Sequence, residues 1–178
     1  MFTLAHQYGR GVVEEMLNRH HIGFVGAGEN KFTELGKCKA IGLIQSIIED
    51  VKRRSTNLVV VSGRSPMGGI DIWAEECAKA YGLETDIKAP KVHQWNPPDG
   101  YGYKARNIDI AKTSDELYVI VVDEYPKEYK GQRFDVCYHC AKHPEHPNSL
   151  HKKSGACYTG FEALKRGKRV DWIIVKNY

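Results

Sequence analysis

Apolar residues along this chain fall into two kinds of pattern. Short solid runs occupy residues 21–27 (HIGFVGA), 58–62 (LVVVS), 116–122 (ELYVIVV) and 170–175, with a shorter candidate at 85–88 that ends before Pro90. Runs of this length, bounded by glycine, proline or polar residues, read as buried strands. Between them, apolar residues recur three and four apart. Residues 33–54 would turn Leu35, Ile41, Ile44, Ile48 and Val51 inward, and residues 70–81 would turn Ile70, Trp73, Ala74, Cys77 and Ala78 to one face. Residues 104–113, with Ile108 and Ala111 inward, and 157–165 read as two further helices. Gly82 stands where a helix C-cap is expected. Leu4, Tyr8, Val12, Met16 and Leu17 predict an N-terminal helix over 3–19, packed on the domain or on a partner subunit. Five short strands alternating with helices predict an α/β fold, with a mostly parallel five-stranded sheet and helices on both faces.

The length of 178 residues fits one domain over 1–178, without internal repeats or a second unit. No apolar run approaches the roughly 18 residues needed to cross a membrane, and the N-terminal stretch lacks the apolar core of a signal peptide. A cytoplasmic protein is expected. The net charge of +4 suits an anionic small ligand. It argues less for nucleic acid, because a solvated lysine-rich surface gives the same total. The five cysteines are an odd number. In a reducing compartment Cys137, Cys140 and Cys157, set among histidines, favour a metal site over disulfides.

A parallel sheet binds ligands beyond the carboxyl ends of its strands, and four loops of this chain are expected there. The first carries Gly26 and Gly28. The second runs through Ser62, Gly63, Arg64, Gly68, Gly69 and Asp71 into a helix. The third delivers Arg106 and Asn107, and the fourth carries Ser154, Gly155 and Thr159 into a helix with Glu162. Glycines let the backbone approach an anion, and unpaired N–H groups at a helix N-terminus attract it. Asp71 would contact ligand or cap its helix, and Glu75 one turn on reads as a solvated acid. Arg106 offers a planar fork for phosphate or ribose oxygens; its bland alternative is a surface salt bridge. Trp95, Tyr101 and Tyr103, in the Pro/Gly-rich loop 90–103, would stack on a base, cover a pocket or pack the loop onto the domain.

Residues 134–157 form a Cys/His-rich insertion. Zinc takes four soft or borderline ligands in a tetrahedron. Cys137 and Cys140 supply two thiolates on one turn, and His151 and Cys157 are partners from the far side of the loop. His139, His143 and His146 compete for the histidine place. A closed structural site is expected. Cys38 and Cys77 read as small core residues, and the basic run 165–169 as a solvated helix end.

In their order these pieces resemble the SLOG superfamily, which unites the DNA-processing protein Smf/DprA with the LOG or "lysine decarboxylase-like" proteins. Val25-Gly26-Ala27-Gly28 resembles the family's first glycine loop. Ser62-Gly63, Gly69-Ile70-Asp71 and Ala74-Glu75 resemble its SGG…GxD…AE element. Arg106-Asn107, Ala111 and Ser114-Asp115 resemble RN…A…SD, and Ser154-Gly155, Thr159 and Glu162 resemble the last loop. The likeness spans residues 21–175. It implies a single Rossmann-like domain that binds a nucleotide or nucleotide-derived ligand, and a homo-oligomer. The LOG branch implies a phosphoribohydrolase that cleaves the N-glycosidic bond of a nucleoside monophosphate, with Arg106 and Glu162 as catalytic residues. The chain departs from that branch where Ser154 replaces a proline and Ala156 and Tyr158 replace glycines. The DprA branch implies single-stranded DNA binding. A zinc in the insertion would brace the last loop.

Overall fold

A computed structural model describes residues 19–98, 100–143 and 150–178. The expected N-terminal helix over 3–19 and His146 lie outside the described residues, apart from Arg19.

The strands are β1 (His20–Gly26), β2 (Leu58–Ser62), β3 (Glu84–Ile87), β4 (Glu116–Val122) and β5 (Arg169–Val175). They form one sheet in the order β3-β2-β1-β4-β5. Every pairing is parallel, so the sheet is wholly rather than mostly parallel. The helices are α1 (Glu34–Arg54), α2 (Ile70–Ala80), α3 (Tyr103–Thr113), a single turn α4 (Tyr138–Ala141) and α5 (Ala156–Leu164). This is a Rossmann-like α/β domain.

Every residue of β2 and β4 is buried, as solid apolar runs covered on both faces must be. Alternation along β4 divides the core in two. Tyr118, Ile120 and Val122 join Ile44, Ile48, Ile70 and Trp73 under α1 and α2. Leu117, Val119 and Val121 join Ile110, Cys157 and Ala163 under α3 and α5. Thr33 caps α1, its Oγ1 accepting the Gly36 N–H at 3.0 Å.

Two expected core residues lie outside it. Leu35 is 53% exposed, and Cys38 is exposed. The buried stripe of α1 runs through Gly36, Ala40, Ile44, Ile48 and Val51, and Leu35 and Cys38 fall to either side. On α3 the buried positions are Arg106, Asn107, Ile110 and Ala111. Ile108, expected inward, is half-buried, because α3 turns its inner face toward the carboxyl edge of the sheet.

β1 lies between β2 and β4, so the chain leaves β1 and β4 in opposite directions across the sheet. That divergence opens a crevice at the carboxyl edge.

Candidate functional site

The crevice holds a cavity of about 340 Å³, and all four expected loops contribute to its wall. Gly26 and Gly28 come from the end of β1, and Asp71 from the first turn of α2. Arg106 and Asn107 come from α3, and Ser154, Gly155 and Thr159 from the entry to α5.

Arg106 is the electrostatic centre. It is 8% exposed, Asp71 is 5% exposed, and Arg106 Nη1 donates to Asp71 Oδ2 at 2.9 Å. Burial pushes the Asp71 carboxyl upward, while Arg106 and the Ser65 N–H favour its ionised form. Asp71 therefore positions Arg106 rather than capping α2, whose N-cap is Gly69. The guanidinium also lies over the Tyr103 ring, 5.6 Å from its centroid. Gly63 makes the placement possible, since a β-carbon there would stand 1.6 Å from Arg106 Nη1. Arg106 Nε and Thr159 Oγ1 are buried and lack a hydrogen-bond partner among the described residues.

Several residues of the second loop shape the site without lining the cavity. Ser62 Oγ donates to Glu75 Oε1 at 2.7 Å, and Glu75 Oε2 accepts from Arg64 Nε and Nη2 at 3.0 and 2.8 Å. Arg64 is thus held on the outer side of the loop, and Glu75 is an ion-pair partner rather than a free acid. Gly68 and Gly69 take positive φ (63° and 80°), and a β-carbon on Gly69 would meet the Ala27 carbonyl at 2.3 Å. Only glycine fits there.

Glu162 does not line the cavity. Its carboxylate accepts from Lys165 Nζ at 2.9 Å and Arg166 Nη1 at 2.8 Å, which hold it below the usual carboxylate value. Arg106 and Glu162 are therefore not brought together at the cavity wall.

Sequence reasoning missed Lys31 and Tyr129, both of which line the cavity. Lys31 sits in a 3-10 turn after β1 and donates from Nζ to the Lys153 carbonyl at 2.9 Å. Burial, with Lys153 beside it, lowers its pKa. A lysine three residues past Gly28 was the available signal. Tyr129 gave none, lying in a polar stretch.

Beside the fourth loop, Cys137, Cys140, His151 and Cys157 are all buried, with one ligand atom each within 4.8 Å of the others. His151 Nε2 lies 3.2 Å from Cys140 Sγ and 3.6 Å from Cys157 Sγ. Ligand atoms at about 2.0–2.3 Å around a tetrahedral ion stand ~3.5 Å apart, so the set fits one metal ion. His151 Nδ1 lies 2.8 Å from the Lys152 carbonyl, a contact that orients Nε2 toward the sulfurs. Cys140 and Cys157 hold the Cys137 thiol far below its usual value. The same contact with Cys137 pushes Cys157 up, and Cys140 up to about 12. A cation joining the three sulfurs would hold them as thiolates. His143 instead stacks on Phe161, with ring centroids 3.9 Å apart, and His139 lies against Tyr138.

Fold and cavity together define the class: a Rossmann-like α/β domain with a cavity at the carboxyl edge, lined by Arg106 and Asp71 among apolar and aromatic residues, and a Cys₃His cluster that could hold a metal ion. Among solved structures the chain is similar to the molybdenum cofactor carrier protein MCP from Chlamydomonas reinhardtii. The TM-score is 0.51 at 18% sequence identity, over 86% of this chain and 76% of that one. At that identity the likeness shows the fold. No family model matches the chain, and no curated protein matches it. Among the described residues no helix is long and apolar enough to cross a membrane.

Proposed function

We propose that this chain is a SLOG-like protein that binds a nucleotide or nucleotide-derived ligand at the carboxyl edge of its sheet, with a structural zinc bracing the pocket. The observation that carries the reading is the pair of buried, unpartnered donors, Arg106 Nε and Thr159 Oγ1, belonging to two residues that line one cavity. Buried donors are rarely left without an acceptor. The volume of about 340 Å³ suits a small ligand, and Arg106 and Lys31 supply positive charge for its anion. Cys157 lies in the first turn of α5, directly after the cavity residues Ser154, Gly155 and Ala156. A metal held by Cys157 therefore fixes the fourth loop. The solved relative is by name a carrier, and holding a ligand without turnover is the use this reading gives the cavity. The engagement of Glu162 by Lys165 and Arg166 supports binding over glycosidic cleavage.

Titration calorimetry with nucleoside monophosphates tests the reading. Saturable binding is expected, weakened roughly tenfold by Thr159→Val, which removes one hydrogen bond at nearly constant shape. Mass spectrometry of the purified protein should show a co-purified small molecule. The absence of both would sink the proposal. Free base released from the monophosphates and lost in Glu162→Ala would replace it with hydrolysis.

A further inference from the structure

We infer that the cavity selects ligands carrying a planar aromatic ring, and that the Trp95 indole is the surface that reads it. The inference rests on the binding reading above and names the part of the ligand that reading leaves open.

Trp95, Tyr103 and Tyr129 line the cavity. Two of these rings are already engaged. Tyr103 lies under the Arg106 guanidinium and its hydroxyl is 3.1 Å from His93 Nδ1. Tyr129 is stacked on Tyr125, with centroids 4.5 Å apart and planes at 4°, and the Arg133 guanidinium lies over both rings. Trp95 differs. It meets Tyr158 nearly perpendicularly, at 5.1 Å and 76°, and is 45% exposed. Tyr158 is its ring neighbour among the described residues, and nearly half of the tryptophan stays exposed. A tryptophan that served to pin its loop would be buried.

The loop does not need the indole for its shape. Lys91 N and Val92 N donate to the Tyr101 carbonyl at 2.8 and 3.2 Å, and Tyr103 N donates to the Gln94 carbonyl at 2.9 Å. Gly102 lets the two limbs touch, because a β-carbon there would meet Pro97 Cδ at 2.3 Å and the Gln94 carbonyl at 2.4 Å. Tyr101, the third aromatic residue of this loop named from sequence, donates to Asp109 Oδ2 at 2.7 Å and does not line the cavity.

This frame carries both halves of a recognition device. Lys104 N donates to the Trp95 carbonyl at 2.8 Å, and Arg106 N donates to the Gly102 carbonyl at 3.0 Å. The main chains that carry the indole and the buried guanidinium are therefore tied to the same turn of α3. An aromatic face and a cation on one frame match a ligand with a heteroaromatic ring at one end and an anion at the other. Because the loop is held without the ligand, little ordering cost falls on binding. Stacking on an aromatic side chain contributes ~1–3 kcal/mol per base and tolerates different bases. The cavity thus takes nucleoside monophosphates and similar ring-bearing anions, and discriminates against sugar phosphates.

The test compares AMP, GMP, CMP and UMP with ribose 5-phosphate, by calorimetry and tryptophan fluorescence. Trp73 and Trp172 are packed in the two cores, so Trp95 dominates any change in emission. At least one monophosphate should bind about tenfold or more tightly than ribose 5-phosphate and quench emission. Trp95→Ala should erase that difference at an unchanged melting temperature, and Trp95→Phe should keep most of it. Equal affinity for ribose 5-phosphate and every monophosphate overturns the inference while leaving anion binding in place. So does a Trp95→Ala protein that still discriminates. Failure of all five probes to bind overturns this inference, and where no small molecule co-purifies the nucleotide reading falls with it.

Discussion

At Gly63 one missing side-chain carbon decides where a charge can sit. A β-carbon there would lie 1.6 Å from Arg106 Nη1 and 2.9 Å from Asp71 Oδ2. Neither group can yield cheaply, because the two form a buried ion pair and a displaced member would be left uncompensated. Gly63→Ala should therefore push Arg106 out of place. The expected result is a loss of ligand affinity of tenfold or more, with destabilisation of about 1–3 kcal/mol. Calorimetry and urea denaturation check the two parts. Wild-type affinity in this variant would remove Arg106 from the binding site. The Ser62-Gly63 pair is legible in the sequence as a glycine loop after a strand. Its reason is not, because the atom that needs the space comes from residue 106. Arg64 shows the converse. The sequence makes it a ligand contact, while Glu75 holds it on the outer side of the loop.

Among the elements, the metal-binding segment shows how far spacing carries. Cys137-x2-Cys140 brings two thiols together wherever the backbone turns, so that half of the cluster is legible locally. The choice among histidines depends on where α5 sits. His151 is wholly buried against the thiols, while His143 stacks on Phe161 of α5. That the turn α4 is helical has no signal in the sequence, because four residues leave no periodic pattern. Binding at a closed site of this kind adds directly to folding free energy. The purified protein should carry one zinc per chain by mass spectrometry of the metal. Cys140→Ser should lose it, lower the melting temperature and weaken ligand binding through the loop at Ser154 and Gly155. Full stability and unchanged affinity in a metal-free Cys140→Ser protein would detach the cluster from the site. Single substitution of His143 should leave metal content unchanged.

For the molecule as a whole, the alternation of runs and periodic stretches makes the α/β class legible. Strand order is a tertiary choice with no local signature. What ties the order together at the end opposite the cavity is Glu116, at the start of β4 and 6% exposed. Its carboxylate accepts Arg54 Nη1 and Nη2 at 2.5 and 2.8 Å and the Tyr118 hydroxyl at 2.9 Å, and lies 2.8 Å from His20 Nε2. Arg169 Nη1 stands 3.5 Å away. Residues of β1, α1, β4 and β5 thus converge on one acid. The Arg54 hydrogen bonds, then those of Tyr118 and His20, hold its pKa down at about 2, against an ordinary 4.5. A depressed carboxyl stabilises the fold above its unfolded pKa. That contribution fades as pH falls from about 4.5 to about 2. Glu116→Gln should therefore destabilise the protein by about 1–3 kcal/mol at pH 7. The gap to wild type should narrow in urea titrations at pH 4 and 3, where the unfolded wild-type chain takes up a proton at Glu116 that the folded state does not hold. Protonation of the metal-binding thiols in acid affects both proteins, so the difference between them isolates Glu116. Because the cluster lies across the sheet from the cavity, affinity for nucleoside monophosphates at pH 7 should change by less than about twofold. A gap that stays constant from pH 7 to 3 would show that Glu116 acts through packing rather than charge.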